Sequence, residues 1–143
     1  QALHQAAGVL REACAAADAL GVQPLLLHGA ANYAPGLSGT AKLLEEIGSP
    51  SLLVSLDAGR LLLDGETLSD AHRLFRGRIA GVRISSGSAH RVPTAQDAPP
   101  RELVQSLPTY ELDGCIVWEF DHSAYRPDPG RALRAGLSVM QTW

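Results

Sequence analysis

The 143-residue sequence has few aromatic residues, no excess of basic charge and no long apolar run. Aromatics make up only 5% of the residues, so the core has to be built mainly from Leu, Val, Ile and Ala. No apolar stretch is long enough to span a bilayer and no signal peptide is visible, which argues against a membrane protein. A formal net charge of -3 and a pI near 5.9 argue against a general nucleic-acid binder.

Cysteine is also scarce, with Cys14 and Cys115 as the two examples. Cys14 lies in an Ala-rich helical pattern and Cys115 opens an apolar strand pattern. We predict that both are small buried residues and that they form neither a disulfide nor a metal-binding pair. This usage is typical of a reducing compartment, so we expect a cytoplasmic protein.

The most informative stretch is SLLVSLDAGRLLLDG, from Ser51 to Gly65. Its apolar run Leu52–Leu56 predicts a strand buried on both faces, as in a parallel sheet, and the first charge, Asp57, follows at its end. Ligands of α/β proteins bind at the carboxyl ends of the strands. Asp57 is therefore a candidate functional residue, although an N-terminal cap or a solvated loop acid would also explain an acid at this position.

The rest of the chain alternates helical and strand patterns over a single domain, residues 1–143. Apolar spacing predicts helices over residues 1–20, Thr40–Ile47, Thr67–Phe75, Glu102–Leu107 and Arg131–Met140. Strand patterns cover Val22–Leu27, Leu52–Leu56, Ile79–Ile84 and the run CIVWEFD that begins at Cys115. Helices of this length between strands are what parallel crossovers need. Both an open doubly wound sheet, such as a flavodoxin-like module, and a (β/α) barrel fit this order. No G-x-G-x-x-G or Walker loop follows a strand, which disfavours the nucleotide-binding versions.

Four segments together resemble the sugar phosphate isomerase/epimerase family, the xylose-isomerase-like TIM barrels. They are SLDAGRLLLDGE, RIAGVRISSG, DGCIVWEFD and PDPGRALRAGL, which occur in this order along the chain. The resemblance covers nearly the whole chain, but it extends only to the C-terminal half of the family's eight-stranded barrel. It implies an α/β fold of four parallel strands with flanking helices.

Four β/α units cannot close a barrel, because side chains from all the strands fill the barrel interior. A half-barrel would leave strand edges and an apolar face open to water. We therefore expect a second half-barrel from a missing N-terminal segment, a partner chain or self-association into an oligomer. Gln1 in place of an initiating Met fits a trimmed chain or a piece of a longer one.

The resemblance also implies a divalent-metal site, with Mn, Co, Mg or Zn as the cofactor. Asp57 and Glu119 match two of the family's carboxylate ligands, and His28 lies next to a third ligand position that falls on Leu27. Two family histidines are replaced by Arg60 and Arg83, and arginine cannot bind a metal because it stays protonated. A metal is therefore doubtful, and the arginines are candidates for substrate binding or for pairing with Asp57 and Glu119.

Two functions remain open on these residues. One is an isomerase or epimerase acting on a small polyol, keto-sugar or hydroxy-carbonyl compound, with Asp57 and Glu119 as acid/base groups or ligands. The other is a non-catalytic barrel domain that binds an anionic ligand or a protein partner. The fold alone cannot decide between them, because the barrel supports many chemistries.

Overall fold

A computed structural model describes residues 1–28, 34–84, 98–110, 112, 114–119 and 128–142. The strands are β1 (Leu25–Leu27), β2 (Leu53–Asp57), β3 (Ile79–Ile84) and β4 (Cys115–Trp118). The helices are α1 (Ala2–Ala19), α2 (Gly36–Ile47), α3 (Ala58–Asp64), α4 (Leu68–Leu74), α5 (Ala98–Ser106) and α6 (Pro129–Met140), with a 3-10 turn over Leu107–Tyr110. None of the described helices is long and apolar enough to cross a membrane.

The strands form one parallel sheet in the order β1-β2-β3-β4, so each strand pairs with the next along the chain. This order excludes the flavodoxin-like alternative, in which the first strand lies inside the sheet between later strands. Consecutive parallel neighbours are the arrangement of a (β/α) barrel. The predicted α/β fold of four parallel strands with flanking helices is therefore confirmed.

Local capping explains where several helices begin and end. The side chains of Asp57, Thr67 and Asp128 each accept a hydrogen bond from the backbone N–H three residues later, at the starts of α3, α4 and α6. Such caps satisfy N–H groups that have no partner within the helix. Gly48 and Gly65 end α2 and α3 with φ of 69° and 67°, a left-handed conformation that glycine adopts without steric cost.

The two faces of the sheet differ in how they are covered. Val54, Leu56, Val82 and Ile84 point to the helical side and are buried. On the opposite face, Leu25 and Leu27 of β1 and Val117 of β4 are exposed. The register pairs Leu25 with Leu53, Leu27 with Ser55 and Val117 with Arg83, so these residues share that face. This second face corresponds to the interior of a barrel. It stays open because four strands do not close on themselves.

Some sequence-based predictions need correction. Cys115 is exposed rather than buried, because it lies on the edge strand β4 with no further strand beside it in the described chain. Strand β1 starts only at Leu25, since Pro24 has no N–H, although its carbonyl accepts a hydrogen bond from Leu53 N–H at 3.1 Å. Helix α2 begins four residues before Thr40, at Gly36. The apolar stretch after Asp57 forms helix α3, for which no helix was predicted.

Helix α6 is held against the sheet by a close contact between a glycine and a tryptophan. A Cβ atom added at Gly136 would lie only 1.4 Å from Cη2 of Trp118. The indole of Trp118 therefore occupies the space that any larger side chain at position 136 would need. The absence of a side chain at Gly136 therefore lets α6 approach the Trp118 ring at the end of β4.

Candidate functional site

Three charged residues meet where β2, β3 and β4 end. Asp57 is the last residue of β2 and is paired in register with Arg83 of β3, which in turn is paired with Val117 of β4. Glu119 follows two residues after Val117 and continues the ladder through a hydrogen bond from its N–H to the Ile84 carbonyl at 3.0 Å. Because side chains alternate along a strand, all three charged side chains lie on the barrel-interior face.

Arg83 lies between the two carboxylates. Its Nη2 contacts Oε2 of Glu119, and the same nitrogen is 4.0 Å from Oδ2 of Asp57. The Arg83 and Asp57 side chains are 15% and 14% exposed, whereas that of Glu119 is 45% exposed. A largely buried guanidinium requires a counter-charge, and Glu119 provides it. The positive charge also reduces the repulsion that two converging carboxylates would otherwise experience.

Asp57 has a structural role as well. Its Oδ1 accepts a hydrogen bond from the backbone N–H of Arg60 at 2.9 Å, which caps helix α3. The Arg60 guanidinium points elsewhere, and its Nε donates to Oδ2 of Asp64 at 2.7 Å, one helical turn away. The Arg60 side chain thus pairs with Asp64 on its own helix rather than with Asp57 or Glu119.

His28 is buried directly after β1, and its backbone N–H donates to the Ser55 carbonyl at 2.9 Å. Its Nε2 lies 3.6 Å from Oε2 of Glu66, and neither ring nitrogen has a hydrogen-bond partner in the described structure. Burial lowers the pKa of His28 below its ordinary value, although the negative charges of Glu66 and Asp57 partly oppose this. The imidazole is therefore neutral at neutral pH and directed toward Glu66.

Glu66 was not among the predicted site residues. Its Oε1 accepts a hydrogen bond from Leu37 N–H at 2.8 Å, which explains why α2 begins earlier than its local sequence suggests. Its Oε2 is buried and has no hydrogen-bond partner among the described residues. The partners Leu37 and His28 are 29 and 38 residues away along the chain (66 − 37 and 66 − 28), so no local pattern could reveal this role.

The side chains that could bind a metal do not form a metal site within the described part of the chain. No three residues among its His, Cys, Asp and Glu side chains lie close enough together to hold a metal ion. Asp57 and Glu119 are the two carboxylates that the family resemblance assigns as ligands, and the Arg83 guanidinium lies against both of them. His28 follows β1, and its Nε2 lies 3.6 Å from Oε2 of Glu66. These residues fit an ion-paired cluster better than a metal centre.

The fold and the polar cluster at its strand ends define a parallel (β/α) half-barrel. The sequence matches no protein-family model and no curated protein. Among solved structures, the chain is similar to 3-keto-D-glucoside 4-epimerase YcjR from E. coli, with a TM-score of 0.75, 19% identity and coverage of 96% of this chain and 52% of that one.

Two further epimerases give comparable matches. For D-psicose 3-epimerase from Clostridium cellulolyticum H10, solved with D-tagatose, the TM-score is 0.77 at 15% identity, covering 98% of this chain and 54% of that one. For an L-ribulose 3-epimerase the TM-score is 0.75 at 16% identity, with the same two coverages of 98% and 54%. The chain thus has the fold of one half of a xylose-isomerase-like TIM barrel, as the sequence resemblance predicted. It spans about half the length of these solved structures.

Proposed function

We propose that this chain is half of an epimerase-like barrel that acts on a small keto-sugar, polyol or related hydroxy-carbonyl compound. The observation that carries the proposal is the Asp57–Arg83–Glu119 cluster at the carboxyl ends of three adjacent strands. Active sites of (β/α) barrels lie at this end. The similar solved structures are epimerases of keto-sugars and related compounds, which supports the substrate class.

Epimerisation next to a carbonyl removes a proton from carbon and leaves negative charge on the carbonyl oxygen. A base must take the proton, and a positive group must stabilise the oxygen. In our proposal Glu119, whose side chain is half exposed, takes the proton, and Arg83 supplies the fixed positive charge. Asp57 holds Arg83 in position from the other side. In our proposal Asp57 starts the reaction as the carboxylic acid and donates its proton to the opposite face of the carbon, so the reaction leaves Asp57 ionised and Glu119 protonated.

The proposal assigns to Arg83 the electrostatic role that a divalent metal has in the related barrels. An arginine in contact with Glu119 and 4.0 Å from Asp57 neutralises the charge that would otherwise attract a cation. We therefore expect Mn²⁺ and Co²⁺ to bind weakly or not at all to this cluster. His28, the third ligand that the sequence suggested, is in our proposal a structural partner of Glu66 instead.

A complete site also requires the other half of the barrel. The interior face carries exposed Leu25, Leu27 and Val117, and the strand edges of β1 and β4 have no neighbour in the described chain. The chain covers 52% to 54% of the solved epimerases, as expected for one half. We propose that a second half-barrel covers this face and contributes the rest of the substrate pocket.

The same ion-paired cluster also favours a second candidate, a non-catalytic barrel domain. If Glu119 stays committed to Arg83, the cluster has no free base and serves as a structural ion pair. The barrel mouth would then bind an anionic ligand through Arg83, or a protein partner through its open face. The two candidates differ in whether the strand-end carboxylates exchange protons with a substrate.

Solvent-deuterium exchange into ketoses distinguishes these candidates. The full chain is incubated with D-tagatose, D-psicose or L-ribulose in D₂O with a chelator, and exchange at the carbon beside the carbonyl is followed by NMR. The proposal predicts exchange that survives the chelator and falls by about 100-fold or more in Glu119→Gln, the loss typical of removing a general base. A control outside the cluster, Glu46→Gln, should retain the exchange, because Glu46 pairs with His4 instead.

Three results would count against parts of this proposal. Absence of exchange from a well-folded chain, together with saturable phosphate binding that Arg83→Gln abolishes, would favour the non-catalytic alternative. Tight Mn²⁺ binding in calorimetry that is lost in Asp57→Ala would show that Arg83 does not replace a metal. Exchange that is unchanged in Glu119→Gln would remove Glu119 from the reaction.

A further inference from the structure

Helices flank the sheet at both of its edges as well as between its strands. Along the chain, α2 joins β1 to β2, α3 and α4 join β2 to β3, and α5 lies between β3 and β4. Helix α1 precedes β1 and packs on α2, where Nε of Arg11 donates to the Ile47 carbonyl at 3.0 Å. Helix α6 follows β4 and packs on it through Gly136 and Trp118. The described chain therefore supplies four strands but five helical positions, one between each pair of neighbouring strands and one at each edge.

Because of this fifth helical position, a second copy of the chain does not fit as the other half of the barrel. A (β/α) barrel of eight strands has one helical position for each strand, eight in all. Two copies would pair the free edge of β4 with β1 of the other copy. Helix α6 of one copy and α1 of the other would then need the same position outside that strand pair. Packed helices lie about 8–10 Å apart, so two of them cannot share one position.

The β4 edge also leaves apolar side chains uncovered on its helical side. Leu133 and Leu137 lie one turn apart on α6, and both are exposed. Ile116 of β4 is paired in register with Val82, which is buried on the helical side, yet Ile116 itself is exposed. Large apolar side chains grouped at an unpaired strand edge are typical of an interaction surface.

The exposed surface is large enough for a stable interface. The chain exposes 8306 Å², whereas a compact monomer of 15.1 kDa is expected to expose about 7,100 Å², roughly 1,200 Å² less. A protein interface of standard size takes about 800 Å² from each partner. The solved epimerases, of which this chain covers 52% and 54%, have slightly less than half of their own length left for such a partner.

We propose that the second half-barrel is a preceding segment of four strands and three crossover helices that begins and ends with a strand. Its last strand pairs with the free edge of β1 and leads into α1, which is the crossover helix between these two strands. Its first strand pairs with the free edge of β4, and its first helix packs on Leu133 and Leu137 of α6. This partner is the second half-barrel of the proposed function, on which the assignment rests, and it excludes a second copy of the chain.

The first test measures the mass of the full chain by native mass spectrometry and light scattering, with thiol alkylation as a probe of the β4 edge. We expect the 15.1 kDa monomer, in which Cys115 reacts because it is exposed and Cys14 is protected because it is buried. A discrete dimer of twice that mass in which Cys115 is protected would overturn the proposal, since two copies would then close the barrel.

The second test fuses the half of the epimerase YcjR that the match leaves uncovered ahead of the full chain, in two versions. One version ends with the last strand of that half, so that α1 is the next helix. The matched control also carries the helix that follows this strand. We expect the strand-ended fusion to be a monomer in which Cys115 is alkylated at least about tenfold more slowly than in the chain alone, because a strand covers β4. It should also unfold at a higher urea concentration than the control, in which two helices compete for one position.

Two results would overturn the proposed architecture. Equal urea midpoints and equal protection of Cys115 in both fusions would show that the partner does not have to end with a strand. An unprotected Cys115 in both fusions would show that no strand of the partner pairs with β4. Mass, alkylation and urea unfolding do not depend on catalysis, so a failure here is distinguishable from a failure of the proposed reaction.

Discussion

Removing the Arg83–Glu119 ion pair tests whether the strand-end cluster is held together by charge. The double-mutant cycle combines Arg83→Met, which keeps an unbranched side chain, with Glu119→Gln, which keeps a hydrogen-bond acceptor. Two unit charges about 4 Å apart interact by roughly 4 kcal/mol at an effective dielectric constant of about 20. Glu119 is 45% exposed, so solvent screening reduces this value. We expect a coupling energy of about 1.5 kcal/mol, above the range of roughly 0.2–1 kcal/mol for exposed pairs.

The assay is urea unfolding of the full chain, with the free energy of unfolding determined for the wild type, both single variants and the double variant. Arg60 and Asp64 form the matched control pair, because they lie one helical turn apart on α3 and the Arg60 side chain is 43% exposed. Their cycle with Arg60→Met and Asp64→Asn should give about 0.3–0.5 kcal/mol. A coupling energy for Arg83–Glu119 no larger than that of this control would refute the charge-based account of the cluster.

Two further predictions concern packing and pH. Gly136→Val should displace α6, because its Cβ would lie 1.4 Å from the Trp118 ring. We expect the free energy of unfolding, measured in urea, to fall by roughly 2 kcal/mol or more, and the tryptophan emission to change. Gly8→Ala is the control, because a Cβ added at Gly8 meets no atom within 4 Å, and it should stabilise α1 by up to about 1 kcal/mol. Similar losses of stability in both variants would contradict the close packing of Gly136 on Trp118. Burial lowers the pKa of His28, so the unfolded chain binds its proton more readily and stability should fall as the pH drops below the ordinary value of 6.5. His28→Leu should flatten the dependence of stability on pH between about pH 7.5 and 5.5. His4→Ala, at an exposed position, should leave it unchanged. Equal slopes in both variants would show that His28 does not cause the loss of stability at low pH.

The sequence by itself determined the main elements of the fold, because their signals are local. The run Leu52–Leu56 ends in a charge, and the strand β2 forms there and ends at Asp57. The helix predicted from Thr67 forms as α4, and the Thr67 side chain caps it by accepting a hydrogen bond from the N–H of Asp70, three residues later. A strand–helix alternation of this kind is read from hydrophobic spacing alone.

The strand order was decided only by the tertiary structure. Barrel and flavodoxin-like sheets share the same alternation of elements, and they differ in which strands become neighbours in space. The consecutive order placed Arg83 in register beside Asp57 and brought Glu119 to the same edge. The sequence suggested these pairings as possibilities, but it could not show that Arg60 would turn to Asp64 instead.

Glu66 shows most clearly what local sequence cannot contain. Its carboxylate sets the start of α2 through Leu37 and faces buried His28, and both partners come from earlier parts of the chain. A glutamate after Asp-Gly looks like an ordinary surface residue until the packing of α2, α3 and β1 buries one of its oxygens. Periodicity reports which face of an element is apolar, whereas the pairing of single polar atoms across elements depends on three-dimensional packing.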